Sequence, residues 1–288
     1  MASYTCKKCG KKVNISIYDP VYDLCPDCNL VIASGNYEQN VTGGTWFSSF
    51  GENLGHQIMG EVILRYYREQ NPSEVIIILK KNETRDVSRN GILTNAINKL
   101  FWADVTPTKP TKDIRLINYR FSREVAALAD KGYYPQYHTK SKIDYIDTSE
   151  KFYVLHLRNI TTNTPKNVSQ YDAEIILKLF DDENVYIVGN DLPFYDLEKP
   201  YDFINLRGKL DLSQIAWLCG HDNCIATISK DSGIAHLAAA AGGRVVSYGY
   251  ASESQWVPSA PPGQVKAFGR TAGEFDKFIN YIKNEFYL

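Results

Sequence analysis

The chain has 288 residues, a formal net charge of −1, 44% hydrophobic residues and 23% charged residues. This composition excludes a disordered or low-complexity protein and leaves room for a sizeable core. No apolar run approaches about 20 residues, so we expect no membrane-spanning helix, and the first ten residues lack the apolar stretch of a signal peptide. We therefore expect a cytoplasmic protein whose six cysteines form no disulfides.

Four cysteines open the chain. Cys6 and Cys9 form one Cys-x-x-Cys pair, and Cys25 and Cys28 form a second pair after 15 intervening residues. Two such loops bring four thiolates to the corners of a tetrahedron, which is the geometry that Zn²⁺ accepts. Four thiolates leave no open coordination position, so the predicted zinc is structural. The pattern resembles a zinc ribbon over residues 1–35, whose folding energy would come from the metal.

Strands and helices alternate from residue 43 onward. We predict strands at 45–49, 74–80 and 113–119, and helices at 53–68 and 122–130. The middle strand, EVIIILK, is a β-branched apolar run typical of a strand buried on both faces.

A second alternating series begins near residue 151. We predict strands at 152–157, 184–189, 203–208, 223–229 and 244–249, and helices at 168–181, 212–218, 233–241 and 273–286. This spacing implies parallel, doubly wound sheets. The sequence therefore predicts an α/β fold with two Rossmann-like lobes, 43–148 and 149–288, joined through a Tyr-rich linker at 133–150. Ligands of such folds bind at the carboxyl ends of the strands, so polar residues that directly follow strands are candidate site residues.

The first strand-end signal is the glycine-bearing turn at 48–55, which contains Ser49, Gly51 and Glu52. Glycine lets the backbone approach a ligand closely. Glu52 stands near a helix N-terminus, where it either complements the helix dipole or takes a proton from a nucleophile. The turn by itself leaves both interpretations open.

The second signal lies at 229–242, where a strand runs into an Ala-rich helix through Asp231, Ser232 and Gly233. Amides exposed at such a helix start suit a phosphate group. His236 lies one turn further on. The simpler interpretation is a tightly packed helix with Ser232 as its N-cap.

The third signal is His156-Leu157-Arg158-Asn159, followed by Lys166. Arg158 and Lys166 stand in a polar loop after a buried strand, which is either a phosphate clamp or a solvated loop. His156 itself is predicted to be a satisfied core residue. The sequence has no G-x-x-x-x-G-K-[ST] and no G-x-G-x-x-G, which argues against P-loop NTPases and NAD-dependent dehydrogenases.

Taken together, these motifs resemble those of a known family, the heptosyltransferase-like glycosyltransferases of family 9. The resemblance is carried by Leu206-Arg207-Gly208-Lys209-x-x-Leu212, Asp231-Ser232-Gly233-x-x-His236-Leu237-Ala238 and Gln255-Trp256-x-Pro258. In the first lobe, Ser48-Ser49-Phe50-Gly51-Glu52 resembles the family's Ser-x-Leu-Gly-Asp turn. The likeness covers most of residues 45–288 and is specific around 203–258.

The resemblance implies a GT-B fold, a nucleotide-diphosphate sugar bound mainly by the second lobe, inversion at the anomeric carbon, and no catalytic metal. It places the catalytic base at Glu52, where the family has aspartate. The donor-binding residues would be Ser49, Gly51, Arg158, Lys166, Lys209, Asp231, Ser232, Gly233 and His236. Cations and helix amides there would stabilise the charge of the leaving diphosphate.

The acceptor is predicted to be anionic. Residues 80–123 contain ten Lys and Arg against four acids, an excess of +6, and in this fold the first lobe holds the acceptor. A phosphorylated glycan or glycolipid fits, as does DNA with a hydroxylated base, for which the tyrosines of 133–145 would offer stacking. A third alternative is a non-catalytic nucleotide-sugar-binding adaptor that uses the zinc ribbon.

Overall fold

The computed structural model describes residues 2–5, 12–15, 44–48, 54–70, 76–79, 114–117, 121–137, 140–158, 166–190, 201–251 and 257–288. These residues belong to two compact units. One unit holds the strands of two small sheets, and the other holds the helices and a six-stranded sheet.

The first unit begins with a β-hairpin. Strand β1 (Ala2–Thr5) pairs antiparallel with β2 (Lys12–Ile15), and Thr5 lies opposite Lys12. In the sequence, the first Cys-x-x-Cys pair therefore lies between these two paired strands.

The first unit also contains a three-stranded parallel sheet. Strand β3 (Gly44–Ser48) lies between β4 (Ile76–Leu79) and β5 (Ile114–Ile117). Strand β4 reads Ile-Ile-Ile-Leu, and such branched side chains pack well on a pleated surface. Parallel neighbours require long crossover connections, which agrees with the spacing of these strands in the sequence.

The second unit is built on a six-stranded, wholly parallel sheet in the order β11-β10-β9-β6-β7-β8. Its strands are β6 (Phe152–His156), β7 (Val185–Ile187), β8 (Ile204–Asn205), β9 (Cys224–Lys230), β10 (Val245–Tyr250) and β11 (Val265–Gly269). Every residue of β6 and of β10 is buried, as expected for strands that are covered on both faces.

Among the residues that the structure describes, six helices accompany this sheet: α1 (Leu54–Gln70), α2 (Phe121–Ala129), α3 (Gln170–Leu179), α4 (Leu212–Cys219), α5 (Gly233–Ala240) and α6 (Glu274–Phe286). Side-chain caps fix three of the helix starts. Ser169 caps α3, Ser232 caps α5, and Asp211 with Gln214 forms a capping box on α4.

The main core lies on one side of the sheet. Leu155, Ile228 and Val246, from three adjacent strands, cluster with Ile176 of α3 and Phe278 of α6. Side chains alternate along each strand, so the neighbouring residues point to the opposite face. There, α5 packs against β9 and β10, and α1 packs on α5 and on α2. The alanines of α5 are buried, which lets this helix lie close to its neighbours.

Helix α1 carries a buried charge. The Glu61 carboxylate is 2% exposed and accepts hydrogen bonds from Arg65 Nε at 2.9 Å and from the Gln136 amide at 2.9 Å. Arg65 also donates to the carbonyl of Tyr134. Burial raises the pKa of Glu61, and Arg65 opposes that shift. The pair ties the backbone of 133–137 to α1.

The predicted parallel α/β fold is confirmed, and most predicted helices and strands agree with the structure to within two residues. Strand β11 was missed because its side chains alternate weakly between exposed and buried positions. The strand expected at 203–208 is only two residues long. The structure groups α1 and α2 with the second unit, and the lobe boundaries 43–148 and 149–288 stay a prediction.

Candidate functional site

The candidate site lies where β6 and β9 end. These two strands are neighbours in the sheet, and their register places His156 beside Ser229. Strand β9 ends at Lys230, and Asp231 and Ser232 then lead directly into α5. In an open parallel sheet this edge is where ligands bind.

An ion pair joins two of the predicted donor-binding residues. Lys166 Nζ lies 2.7 Å from Asp231 Oδ2, although 65 residues separate the two in the sequence. Asp231 is buried and its backbone amide donates to the carbonyl of Tyr248 at 2.8 Å, whereas half of the Lys166 side chain is exposed. The loop after β6 therefore brings a half-exposed cation to the turn after β9.

The start of α5 presents backbone amides. Ser232 Oγ accepts the Ala235 amide at 3.4 Å, which confirms Ser232 as the N-cap. The first amides of a helix have no acceptor within the helix. In the part of the chain that the structure describes, the amides of 232–234 donate to no acceptor. Gly233 is half-buried, while Asp231 and Ser232 are buried.

His236 lies at the contact between α5 and α1. The side chain is 6% exposed, and a Cβ on Gly55 would come within 2.8 Å of His236 Cδ2. A Cβ on Gly233 would likewise lie 2.8 Å from Leu54 Cβ. The N-terminal turns of α1 and α5 thus meet at two glycines, and the absence of side chains there permits the close approach.

His156 is buried, as predicted, but it is also hydrogen-bonded to the turn. Its Nδ1 lies 3.1 Å from Ser232 Oγ and 3.4 Å from Ser229 Oγ. Burial, assisted by the charge of Arg158, lowers the pKa of the imidazole to about 4. The ring is therefore neutral at pH 7.

Sequence reasoning missed Lys230. Its Nζ donates to the carbonyl of Asn167 at 2.7 Å and lies 5.3 Å from the centre of the Tyr248 ring. Burial lowers the pKa of this amine, an effect that Asp172 opposes. A lysine at the last position of a buried strand is a signal that could have indicated it.

Arg158 completes a group of cations at this edge. Its charge lowers the pKa of both His156 and Lys230, which places the guanidinium near both groups. Its carbonyl accepts the amide of Val168 at 2.8 Å, which closes the loop that carries Lys166. Arg158, Lys166 and Lys230 together give the neighbourhood of Asp231 an excess of positive charge.

The remaining predicted residues have other positions. Lys209 follows the edge strand β8, and its Nζ donates to the carbonyl of Asn205 at 2.8 Å. Two strands, β6 and β7, separate β8 from β9, so Lys209 follows a strand that is not adjacent to the one that ends at the donor turn. Ser49, Gly51, Glu52 and the cysteines Cys6, Cys9, Cys25 and Cys28 lie outside the described residues. Within the described ranges, no group of three or more His, Cys, Asp or Glu residues could hold a metal.

The segment that contains the turn and α5 matches a family model. Residues 194–272 match glycosyltransferase family 9 (heptosyltransferase). This segment is similar to a glycosyltransferase family 9 domain. The match supports a glycosyltransferase and leaves open the class of sugar that is transferred.

Solved structures of one glycosyltransferase share the fold. The glycosyltransferase TibC of enterotoxigenic E. coli H10407, described as iron-containing and dodecameric, is 12% identical with a TM-score of 0.55, over 87% of this chain and 80% of TibC. TibC in complex with ADP-D-beta-D-heptose has the same identity and TM-score, over 87% of this chain and 77% of TibC. The glycosyl transferase of family 9 from Veillonella parvula is 12% identical, with a TM-score of 0.49 over 85% of this chain and 89% of that chain.

No curated protein matches the chain. Among the helices that the structure describes, none is long and apolar enough to cross a membrane.

Proposed function

We propose that the protein transfers a sugar, with inversion, from a nucleotide-diphosphate sugar to a hydroxyl group of an anionic acceptor. The observation that carries this proposal is the turn from β9 into α5, which lies within the family 9 domain. There, free helix amides stand beside a cluster of cations, and both are suited to a diphosphate.

The diphosphate would bind across this edge of the sheet. Negative charge develops on the diphosphate oxygens as the bond to the sugar breaks. The amides of 232–234, Lys166 and Arg158 would stabilise that charge. Lys166 is half exposed and paired with Asp231, so its flexible side chain can exchange that carboxylate for a phosphate oxygen. Asp231 would then be free to accept a hydrogen bond from a hydroxyl group of the donor.

Glu52 is proposed as the base that takes the proton from the acceptor hydroxyl. Two residues after Glu52 in the sequence, Leu54 begins α1 and packs against Gly233. The chain that carries Glu52 therefore leads directly into a contact with the proposed donor turn. A glutamate is one methylene longer than the aspartate of the family, so the acceptor hydroxyl would sit correspondingly further from the chain.

The test combines donor binding with transfer. Thermal shifts against UDP-, GDP-, ADP- and CMP-sugars identify the donor, because a ligand that binds only the folded state raises its stability. We expect Glu52→Gln to retain that shift and to lose transfer by at least about 100-fold, the usual contribution of a general base. Glu69→Gln, an exposed carboxylate at the far end of α1, serves as the control. Undiminished transfer by Glu52→Gln would show that Glu52 is not the base.

The acceptor is proposed to be a phosphorylated glycan or glycolipid. The excess of +6 over residues 80–123 supports an anionic acceptor. DNA with a hydroxylated base is the other candidate, and the two are separated by offering each to the protein together with the donor found above. Transfer to DNA alone would overturn the glycan proposal, and donor binding without turnover on either would favour a non-catalytic adaptor.

We also propose a structural Zn²⁺ held by Cys6, Cys9, Cys25 and Cys28. The pairing of β1 with β2 supports this, because these strands flank the first Cys-x-x-Cys pair in the sequence. We expect about one zinc per chain by metal analysis, in keeping with a four-thiolate site.

Substitution separates a bound zinc from adventitious metal. Cys9→Ser should lose the zinc and the local folding of the hairpin, whereas Cys224→Ser, a half-buried cysteine of β9, should keep both. A zinc-free wild-type protein, or equal zinc in both variants, would refute the site.

A further inference from the structure

Three buried side chains meet behind the donor turn. His156 ends β6, Ser229 lies near the end of β9, and Ser232 is the N-cap of α5. They are 8%, 1% and 5% exposed. The two serine oxygens lie 2.9 Å apart, and His156 Nδ1 lies 3.1 Å from that of Ser232. Two adjacent strands and a helix are thus joined by side-chain hydrogen bonds.

Counting protons assigns the donors. Ser229 Oγ donates its one proton to the carbonyl of Lys230 at 2.7 Å, so it accepts from Ser232 Oγ. Ser232 has then used its own proton, and it accepts both the Ala235 amide and His156 Nδ1–H. The assignment that uses all four contacts therefore puts the imidazole proton on Nδ1. The lowered pKa of His156 agrees with a neutral ring.

The neighbouring strand fixes the other side of the ring. Gly189 follows β7 with a φ of +132°, and a Cβ there would lie 3.1 Å from His156 Cδ2 and 3.3 Å from Nε2. Such a contact is tighter than side chains usually make, so a larger residue at this position would push the ring towards the turn. Glycine at 189 and the hydroxyl of Ser232 together hold the imidazole in one orientation.

We propose that His156 is a positioning residue for the donor turn, which it holds through the hydrogen bond from its Nδ1–H to Ser232. That bond fixes the cap hydroxyl, and the cap fixes the direction of the amides at 232–234 that receive the diphosphate. The proposal rests on the proposed function for its ligand. It assigns His156 no contact with the substrate.

The test uses two amides that imitate the two ring nitrogens. His156→Asn places an N–H near the position of Nδ1 and keeps the bond to Ser232, whereas His156→Gln places its amide near Nε2 and loses that bond. We expect Gln to raise the Kd and KM of the nucleotide-sugar about tenfold, the effect of one hydrogen bond. We expect Asn to stay within about twofold of wild type. Equal impairment of the two variants, or none in either, would overturn the proposal.

A second pair of variants covers the case in which His156→Gln does not fold. Gly189→Ala should weaken donor binding as His156→Gln does, since its Cβ displaces the ring. Gly263→Ala is the control, because this glycine also has a positive φ, +84°, but a Cβ there would meet nothing within 4 Å. If both alanine variants bind the donor like wild type, His156 does not position the turn.

Amide hydrogen exchange tests this proposal independently of the proposed function. The Ala235 amide donates to Ser232, so its protection reports the cap without any ligand. We expect faster exchange of that amide in His156→Gln and unchanged exchange in His156→Asn. That pattern, in a protein that binds no nucleotide-sugar, would refute the function and leave the positioning role standing. Unchanged exchange in both variants would refute the positioning role.

Discussion

The ion pair between Lys166 and Asp231 brings together a buried acid and a cation that remains half in solvent. Asp231 is held in place by its backbone bond to Tyr248, whereas Lys166 sits on the loop after β6. Because half of the Lys166 side chain remains in solvent, water screens its attraction to Asp231. Its cation is therefore available to a ligand.

We expect Lys166→Gln to raise the Kd for the nucleotide-sugar about tenfold, through the loss of one charge-assisted hydrogen bond. The melting temperature without ligand should change little. The measurement is calorimetric titration with the donor, and Lys178→Gln, an exposed lysine in the last turn of α3, is the control. Equal donor affinity in the two variants would remove Lys166 from the site.

Some site residues could be predicted from the sequence and others could not. Asp231, Ser232 and Gly233 follow an apolar strand and precede a helix, and that local pattern was sufficient to place them at the sheet edge. The bond between His156 and Ser232 depends on β6 and β9 being neighbours, although β7 and β8 lie between them in the sequence. Strand order is set by packing of the whole sheet, and local periodicity does not contain it. The contact of Lys230 with Tyr248 was missed for the same reason.

At the scale of elements, α1 and α5 approach each other closely at two glycines. Gly55 leaves room for the His236 ring, and Gly233 leaves room for Leu54. The sequence predicted both helices nearly to the residue, but it assigned α1 to the first lobe. The periodicity of a helix indicates which of its faces is apolar, but it does not indicate which element that face packs against. The structure groups α1 with the sheet that carries α5.

We expect Gly55→Ala to destabilise the protein by about 1–2 kcal/mol, because the overpacking cost exceeds the gain in helix propensity. In a His236→Ala background the same substitution should be neutral or stabilising by up to about 1 kcal/mol, since the ring is gone. Urea unfolding of the four proteins measures this coupling. Additive effects would show that Gly55 and His236 do not meet in solution.

At the scale of the whole molecule, the neutral His156 makes stability depend on pH. Its pKa is about 4 in the folded protein and about 6.5 in an unfolded chain. Between these values the unfolded state binds more protons, so stability falls as pH decreases from 6.5 towards 4. Glu61 has a raised pKa and contributes in the opposite direction, so the term of His156 must be isolated by comparing variants.

We expect wild type to lose about 2 kcal/mol more than His156→Asn between pH 7.5 and pH 5, since each pH unit below 6.5 costs about 1.4 kcal/mol. Urea unfolding at both pH values measures the difference, and Glu61 is common to the two proteins and cancels. Parallel pH dependences would show that His156 is solvated and titrates normally.

The buried carboxylate of Glu61 connects helix α1 to residues 133–137. Two of its partners are the Arg65 side chain and the Gln136 amide, and Arg65 in turn holds the carbonyl of Tyr134. Separating residues 133–137 from α1 would leave the buried Glu61 carboxylate with half of its partners missing. Such a loss costs several kcal/mol. Glu61 therefore links residues 133–137 to α1, and because its pKa is raised in the folded protein, acid does not weaken the fold through this group.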